Sequence, residues 1–161
     1  MPTMRSMSDP KLDLSLQFAV KKSERPRRTD LRRWAKAALM ADALVGVRIV
    51  DEAEGRALNQ EYRGKDYATN VLTFAYGLSD GDGRLSGDIV ICAPVVAREA
   101  AEQGVSLEAH YAHLTLHGML HLQGYDHETD AEAVTMESIE SFIMQRLGYS
   151  DPYDTTPAAD A

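Results

Sequence analysis

The sequence of 161 residues contains a single cysteine, Cys92, and no long apolar run. One cysteine excludes an internal disulfide and is typical of a protein that stays in the reducing cytoplasm. Residues 1–15 lack the apolar core of a signal peptide, and charged residues interrupt the most apolar stretch, residues 35–50. These absences predict a cytoplasmic protein without a membrane span.

Positive charge is also scarce, since the formal net charge at pH 7 is −8. Such an excess of acidic residues argues against a protein that coats nucleic acid through bulk electrostatics. Residues 21–36 are the exception, with eight basic and two acidic residues. This segment fits a phosphate-facing patch and, equally well, a solvated helix face and loop.

The pattern of apolar residues and capping residues predicts an alternation of strands and helices. Four strands are predicted, the last two joined by the turn SDGDG at 79–83: residues 14–20, 45–50, 70–76 and 85–93. Five helices are predicted to begin at capping residues or at a proline: Asp30, Asp51, Pro94, Ser106 and Thr129. The last helix is expected to present five apolar residues: Val134, Ile139, Phe142, Ile143 and Leu147.

The order β-α-β-α-β-β-α-α-α predicts a small α+β fold. We expect a single domain over residues 11–149, in which helices pack on a mixed sheet of about four strands. Residues 1–10 and 150–161 show no periodicity and are expected to be flexible tails.

Four of the five histidines fall on one predicted helix: His110, His113, His117 and His121. In a helix this spacing forms one stripe, but His113 and His121 are separated by ~12 Å of helix rise and cannot share an ion. His117 and His121 are followed by Gly124, which can end the helix in a left-handed conformation and turn the chain back. The sequence therefore predicts a metal site at this helix–turn–helix, formed by His117, His121 and His127 with a fourth coordination position open.

Three neutral imidazoles favour one Zn²⁺ per chain, although Ni²⁺, Cu²⁺ or Co²⁺ fit the same cage. We interpret His110 and His113 as core histidines whose ring nitrogens have hydrogen-bond partners. Asp126 either orients a ligand histidine or shapes the turn before the next helix, and the second role is preferred.

The stretch HGMLHLQGYDH, residues 117–127, matches the H-E-x-x-H-x-x-G-x-x-H spacing of metzincin zinc proteases except at Gly118. In those proteases the second position is a glutamate that acts as general base, a role that glycine cannot perform. A zinc-dependent hydrolase of peptides or esters is therefore kept only as an alternative function.

A second group of polar residues occurs where a predicted helix ends and the next strand begins, in LNQEYRGKDYATNVLTF, residues 58–74. Arg63 and Lys65 are candidates for binding an anionic substrate, and Thr69 and Asn70 offer neutral hydrogen bonds. This group is not specific by itself, because helix C-termini often carry basic residues that interact with the helix dipole.

The histidine triplet and the polar group together resemble the YbeY family of bacterial rRNA-maturation endoribonucleases. The resemblance extends from Leu14 to LGYSDPY at 147–153 and depends on three blocks: residues 58–74, SGDIVIC at 86–92, and HLTLHGMLHLQGYDH at 113–127. It implies zinc binding through His117, His121 and His127, and it places the arginine required for activity at Arg63. Three positions depart from the usual family pattern, two in place of proline and one in place of serine: Ala68, Ala75 and Thr73.

The resemblance also implies a substrate and partners. It implies cleavage of single-stranded RNA, maturation of the 3′ end of small-subunit rRNA and ribosome quality control, with the small ribosomal subunit and assembly factors as partners. A metal ion and Arg63 would stabilise the negative charge of phosphodiester cleavage without a carboxylate at position 118. Because the chain is acidic overall, we expect weak binding to free RNA with a shallow salt dependence.

A non-enzymatic alternative is a ribosome-assembly factor in which zinc only stabilises the helix–turn–helix. The open fourth coordination position argues against this alternative, because purely structural zinc usually has four protein ligands.

Overall fold

A computed structural model describes residues 9–78, 81 and 83–154. The predicted order of elements and the α+β fold class are confirmed, with a short 3₁₀ turn, Lys22–Glu24, as an addition. The strands and helices are β1 (Leu12–Phe18), α1 (Arg28–Ala37), β2 (Ala43–Val50), α2 (Glu52–Arg63), β3 (Val71–Leu78), β4 (Leu85–Cys92), α3 (Ala93–Gln103), α4 (Leu107–Leu122) and α5 (Asp130–Arg146). Parts of the predicted turn 79–83 and of both predicted tails lie outside the described residues. None of the described helices combines the length and the apolarity that a membrane crossing requires.

The sheet is four-stranded and mixed, as predicted, with the strand order β1-β2-β4-β3. The first three strands of this order are parallel, and β3 runs antiparallel to β4 at one edge. Alternate residues of a strand face opposite sides of a sheet, so Ile89 and Cys92 of β4 point to opposite faces. A Cβ on Gly118 of α4 would lie 3.0 Å from Ile89, whereas Gly55 of α2 lies against Cys92. Helices α4 and α2 therefore pack on opposite faces of the sheet.

The main core lies on the face covered by α1, α4 and α5. Its largest fully buried apolar and aromatic side chains come from all three helices and from β2 and β4: Trp34, Tyr111, Leu31, Ile49, Ile89, Ile91, Leu116, Met119, Leu120, Met136 and Met144. A smaller core lies under α2 and α3 on the other face: Val50, Leu72, Val90, Cys92 and Val95. This leaves α4, which carries four histidines, in the middle of the larger core.

The helix ends match the predicted caps with one exception. Asp51 caps α2 by accepting from the Glu54 amide at 2.8 Å, and the predicted capping box at Thr129 is present in full. Asp30 was expected to cap α1, but the cap position is three residues earlier, at Arg27, and the helix begins at Arg28. Asp30 lies in the first turn instead, where its carboxylate accepts from Arg27 at 3.1 Å and interacts favourably with the helix dipole.

Two apolar residues of α5 do not face the core, contrary to expectation. Val134 and Phe142 are 66% and 61% exposed. The buried stripe runs instead through positions spaced by three and four: Met136, Glu140, Ile143 and Met144. Because Glu140 is charged, the spacing of apolar residues alone did not indicate that this side of α5 is the buried one.

The basic segment 21–36 uses several of its cations within the protein. The guanidinium groups of Arg25 and Arg28 lie 3.8 and 4.7 Å from the centroid of the Phe18 ring. Arg33 donates to the Tyr149 hydroxyl at 3.2 Å and pairs with Asp30. These contacts favour the interpretation of the segment as a solvated structural surface over that of a phosphate-facing patch.

Residues just beyond Tyr149 pack against the domain. Asp151 accepts from the Ser141 hydroxyl at 2.6 Å, and the hydroxyl of Tyr153 donates to Glu140. The boundary at residue 149 and the flexibility of the tails stay predictions, with residues 151–153 in contact with α5.

Candidate metal centre

Helix α4 carries His117 and His121 on one side and ends immediately after them. Its first residue follows Ser106, whose hydroxyl accepts from the Ala109 amide at 3.0 Å. At the other end, Gly124 has a φ of 101°, a conformation that L-residues with side chains rarely adopt. The Tyr125 amide bonds to the Leu120 carbonyl at 3.0 Å, so the chain turns back along the helix as predicted.

The turn brings His127 beside the two helical histidines. One ring nitrogen from each of His117, His121 and His127 lies within 4.8 Å of the other two. The ring centroids are 5.0, 5.4 and 5.1 Å apart. His117 and His121 are half-buried and His127 is exposed, which leaves one side of the cluster open to solvent. Three converging imidazoles with an open side can hold one metal ion.

Asp126 shapes the turn, in agreement with the preferred interpretation. Its Oδ1 accepts from the backbone amide of His127 at 2.8 Å. Burial lowers the pKa of His121, and the neighbouring His117 and His127 lower it further. The neutral imidazole, which is the form that binds metals, is therefore favoured at the centre of the cluster.

Glu140 is a fully buried carboxylate that contacts the histidine stripe from α5. Its Oε2 is 2.9 Å from Nδ1 of His117, and its Oε1 is 2.6 Å from Nε2 of His113. The hydroxyl of Tyr153 also donates to Oε1. Within the described residues, this carboxylate thus has three hydrogen-bond partners, each of which can donate to it.

These donors keep Glu140 ionised. Burial raises the pKa of its carboxyl, but the hydrogen bonds from His113, His117 and Tyr153 outweigh burial and lower the pKa to about 2. An ionised carboxylate only accepts hydrogen bonds, so Nδ1 of His117 carries the proton and Nε2 is left for a metal ion. Sequence reasoning missed Glu140, although an acidic residue at a core position of a helix is an available signal of function.

Glu140 is expected to set the metal affinity through His117. Glu140→Gln replaces one acceptor oxygen by an NH₂ group that cannot accept from the ring nitrogens. We expect metal binding roughly 10- to 100-fold weaker, the usual range when a carboxylate behind a ligand histidine is changed. The measurement is a metal titration against a competing chelator. Glu137→Gln, at an exposed position of the same helix, is the control, and equal metal affinities for both variants would contradict the role.

His110 is a core histidine with a hydrogen-bond partner, as interpreted from the sequence. His113 also has a partner, in Glu140, but it is only half-buried. His110 is 5% exposed, and its Nε2 lies 2.8 Å from Oε1 of Glu99. The same carboxylate accepts from the Asn70 amide at 3.0 Å, and Asn70 Oδ1 accepts from the Val71 amide at 2.6 Å. The side chain of Asn70 is therefore engaged inside the protein, and its contact with substrate stays a prediction.

An open groove of about 1170 Å³ runs beside the histidine stripe. Its lining includes five of the side chains just described, together with the chain after α5: Asn70, Glu99, His110, His113, His117 and Tyr153. The groove extends from Asn70 and Val71 at the start of β3 to His117, the one histidine of the cluster in its lining.

The structure does not bring Arg63 into contact with the histidines. Arg63 is the last residue of α2, before Gly64 with a φ of 69°, and α2 packs on the face of the sheet opposite α4. Arg63 and Lys65 are exposed, and within the described residues neither side chain forms a hydrogen bond or an ion pair. Thr69 is half-buried in the loop that leads to β3. Their substrate contacts stay predictions.

Gly118 lies against the sheet and not in the histidine cluster. It is buried, and a Cβ there would be 3.0 Å from two carbon atoms of Ile89. A side chain at this position therefore points into the core. A glutamate at 118 could not serve the histidine cluster as a base, so the resemblance to metzincins ends at the spacing.

The sheet, the turn after α4 and the open histidine cluster define a small α+β protein with a candidate metal site on its central helix. The family model described as Endoribonuclease YbeY matches residues 17–148. The chain belongs to the YbeY endoribonuclease family.

Curated relatives bear the name of this family, and a solved structure has a similar fold. The Endoribonuclease YbeY of Methylobacillus flagellatus is 57% identical over 146 residues, covering 91% of this chain and 96% of the relative. The Endoribonuclease YbeY of Aromatoleum aromaticum is 58% identical over 146 residues, covering 89% and 93%. The solution structure of TM1509 from Thermotoga maritima is similar with a TM-score of 0.51 and 28% identity, covering 91% of this chain and 99% of that one.

Proposed function

We propose that this protein is a zinc-dependent endoribonuclease that cleaves single-stranded RNA. The observation that carries the proposal is the cluster of His117, His121 and His127, open on one side, in a chain of an endoribonuclease family. The donor set suits Zn²⁺, because three neutral imidazoles and a free coordination position are typical of catalytic zinc. The RNA substrate follows from the family and from the names of the relatives.

The protein's own residues hold and orient this centre. Glu140 fixes the ring of His117, and Asp126 fixes the turn that presents His127. A divalent metal ion held there would supply Lewis-acid stabilisation of the charge that develops on a phosphate. Arg63 is proposed to clamp a phosphate of the same strand, for which its unpaired guanidinium is suited.

The proposed biological substrate is the 3′ region of small-subunit rRNA, processed during ribosome maturation and quality control. The resemblance of the sequence supports this role, and the small ribosomal subunit and its assembly factors are the proposed partners. The net charge of −8 supports recruitment by such partners, because few cations are available to hold free RNA. Cytoplasmic location belongs to the same proposal.

An assay of single-stranded RNA beside casein, each with and without chelator, tests the activity. Cleavage of RNA that stops with chelator and returns with Zn²⁺ is expected, with casein intact. Hydrolysis of casein would favour the peptidase alternative, and inert protein with a chelator-sensitive melting temperature would favour the assembly-factor alternative.

Arg63→Glu is expected to lose RNA cleavage while it keeps its fold and its metal. Arg63 lies on the face of the sheet opposite the histidines, so the expected loss comes from weaker RNA binding. A charge-assisted hydrogen bond contributes about 1.5–3 kcal/mol, roughly 10- to 100-fold in binding, and the introduced negative charge repels the phosphate as well. Arg32→Glu, at another exposed arginine without a described partner, controls for the change of net charge. Cleavage by Arg63→Glu at the rate of the Arg32 variant would show that Arg63 has no such role.

A further inference from the structure

The face of the sheet opposite α4 is only partly covered. Helix α2 packs over one end of this face, around Val50, Leu72, Val90 and Cys92. Beyond that end, an open groove of about 520 Å³ crosses the four strands. Its lining mixes polar groups with aromatic rings: Gln17, Arg48, Tyr62, Phe74, Tyr76 and Asp88.

Three aromatic rings cluster at the β3 side of this groove. Tyr62 and Tyr76 are 60% and 63% exposed, and the rings of Tyr62 and Phe74 meet edge to face with centroids 5.0 Å apart. Grouped, solvent-exposed apolar surface is unusual on a protein without a partner for it. The rings offer several π faces to a flat ligand.

Contacts with other residues of the groove fix the positions of the Tyr62 and Tyr76 rings. The hydroxyl of Tyr76 donates to Oδ2 of Asp88 at 2.8 Å. Asp88 has room to lie there because Gly46 on the neighbouring strand β2 carries no Cβ, and any Cβ there would collide with the carboxylate. Tyr62 is on a helix and is supported by Phe74. The rings therefore lose little conformational entropy when a ligand stacks on them.

The charges around the rings favour an anionic chain as the ligand. Arg63 follows Tyr62 directly and Lys65 is two residues further on, and both are exposed and unpaired within the described residues. Arg48 inside the groove is instead neutralised by Glu54, at 2.6 and 2.9 Å. Free positive charge thus lies at the C-terminal end of α2, next to Tyr62 in sequence and outside the lining of the groove, where a phosphate backbone can approach. Asp88 inside the groove can accept from base edges.

The edge strand β3 connects this face to the metal centre. Thr73 pairs with Ile89, whose side chain contacts α4, whereas the next residue, Phe74, pairs with Asp88 in the groove. The two faces are therefore separated at this edge by a single strand. A nucleic-acid strand that passes over β3 can contact the aromatic rings and the metal centre together.

We propose that Tyr62, Phe74 and Tyr76 form a stacking site for unpaired bases of single-stranded RNA, with Arg63 and Lys65 holding the adjoining phosphates. The proposal rests on the proposed endoribonuclease function and extends it to the substrate's path. It also gives Arg63 a substrate-binding role on the far side of the sheet from the histidines.

Binding of a fluorescent 2′-O-methyl phosphorothioate oligonucleotide, which resists cleavage, tests the site in the metal-loaded protein. Tyr62→Ala and Tyr76→Ala are each expected to bind roughly 5- to 100-fold more weakly, the effect of losing one stacked base. Tyr62→Phe keeps the ring and is expected to bind like wild type. Phe142→Ala is the matched control, because Phe142 is 61% exposed on α5 and also has an arginine, Arg146, over its ring.

The salt dependence separates stacking from phosphate contacts. Arg63→Ala and Lys65→Ala are expected to make the salt dependence shallower, whereas Tyr62→Ala lowers the affinity without changing the slope. Unchanged binding by Tyr62→Ala and Tyr76→Ala, the result expected if another protein occupies this face, would overturn the proposal. Cleavage of unmodified RNA by wild type is measured separately, so a failed stacking site and a failed nuclease assignment give different results.

Discussion

Replacing His117 with alanine is expected to abolish both metal retention and RNA cleavage while the fold survives. The change removes one of the three histidines proposed as ligands, and altering the residue behind a ligand already weakens metal binding about 10- to 100-fold. We therefore expect a loss of at least about 100-fold. Metal analysis after dialysis, an RNA cleavage assay and circular dichroism on the same sample measure the three properties.

His113→Ala is the matched control for this prediction. His113 lies one turn earlier on the same stripe and bonds to the same carboxylate, but it is outside the histidine cluster. This variant is expected to keep most of its metal and its activity. Full metal content and wild-type cleavage in His117→Ala would refute the assignment of the metal centre.

Gly118→Glu is expected to prevent stable folding and to create no peptidase. The side chain would enter the contact between α4 and Ile89, where even a Cβ is 3.0 Å from its neighbours. Overpacking a core usually lowers the free energy of unfolding by about 1–3 kcal/mol, and a buried unpaired carboxylate by several more. Together these effects are comparable with the whole stability of a small domain, about 5–15 kcal/mol.

Thermal unfolding of two smaller changes checks the cause. Gly118→Ala is expected to be destabilised to a lesser degree, and adding Ile89→Val should restore part of the loss because it removes Cδ1, one of the crowded atoms. If Gly118→Glu folded normally and hydrolysed casein, residue 118 would have to face the metal centre, contrary to the structure.

The histidine cluster was predictable because it is local in sequence. His117 and His121 share a helix face by helix geometry alone, and Gly124 gives a physical reason for the chain to bring His127 back. The element order was predictable for a similar reason, since caps and periodicity are local signals. Sheet order and the faces on which α2 and α4 pack required the assembled structure.

The contacts of Glu140 could not be found from local signals. It lies 23 residues from His117 and 27 from His113, and it meets them only because α5 packs on α4. The same limit explains the wrong orientation of Val134 and Phe142, since apolar residues alone did not define the buried side of α5. The aromatic groove likewise joins α2 to β3 and β4 through tertiary packing.

The carboxylate of Glu140 also connects metal binding at His117 with the attachment of Tyr153, which lies after α5. One of its oxygens faces a ring that can bind metal, and the other holds the hydroxyl of Tyr153. Coupling free energies are reciprocal, so the effect of metal binding on the Tyr153 contact equals the effect of that contact on metal binding. Metal occupancy and the packing of residues 151–153 on α5 are therefore linked equilibria. A partner that binds this segment and detaches it from α5 would lower the metal affinity of the histidine cluster.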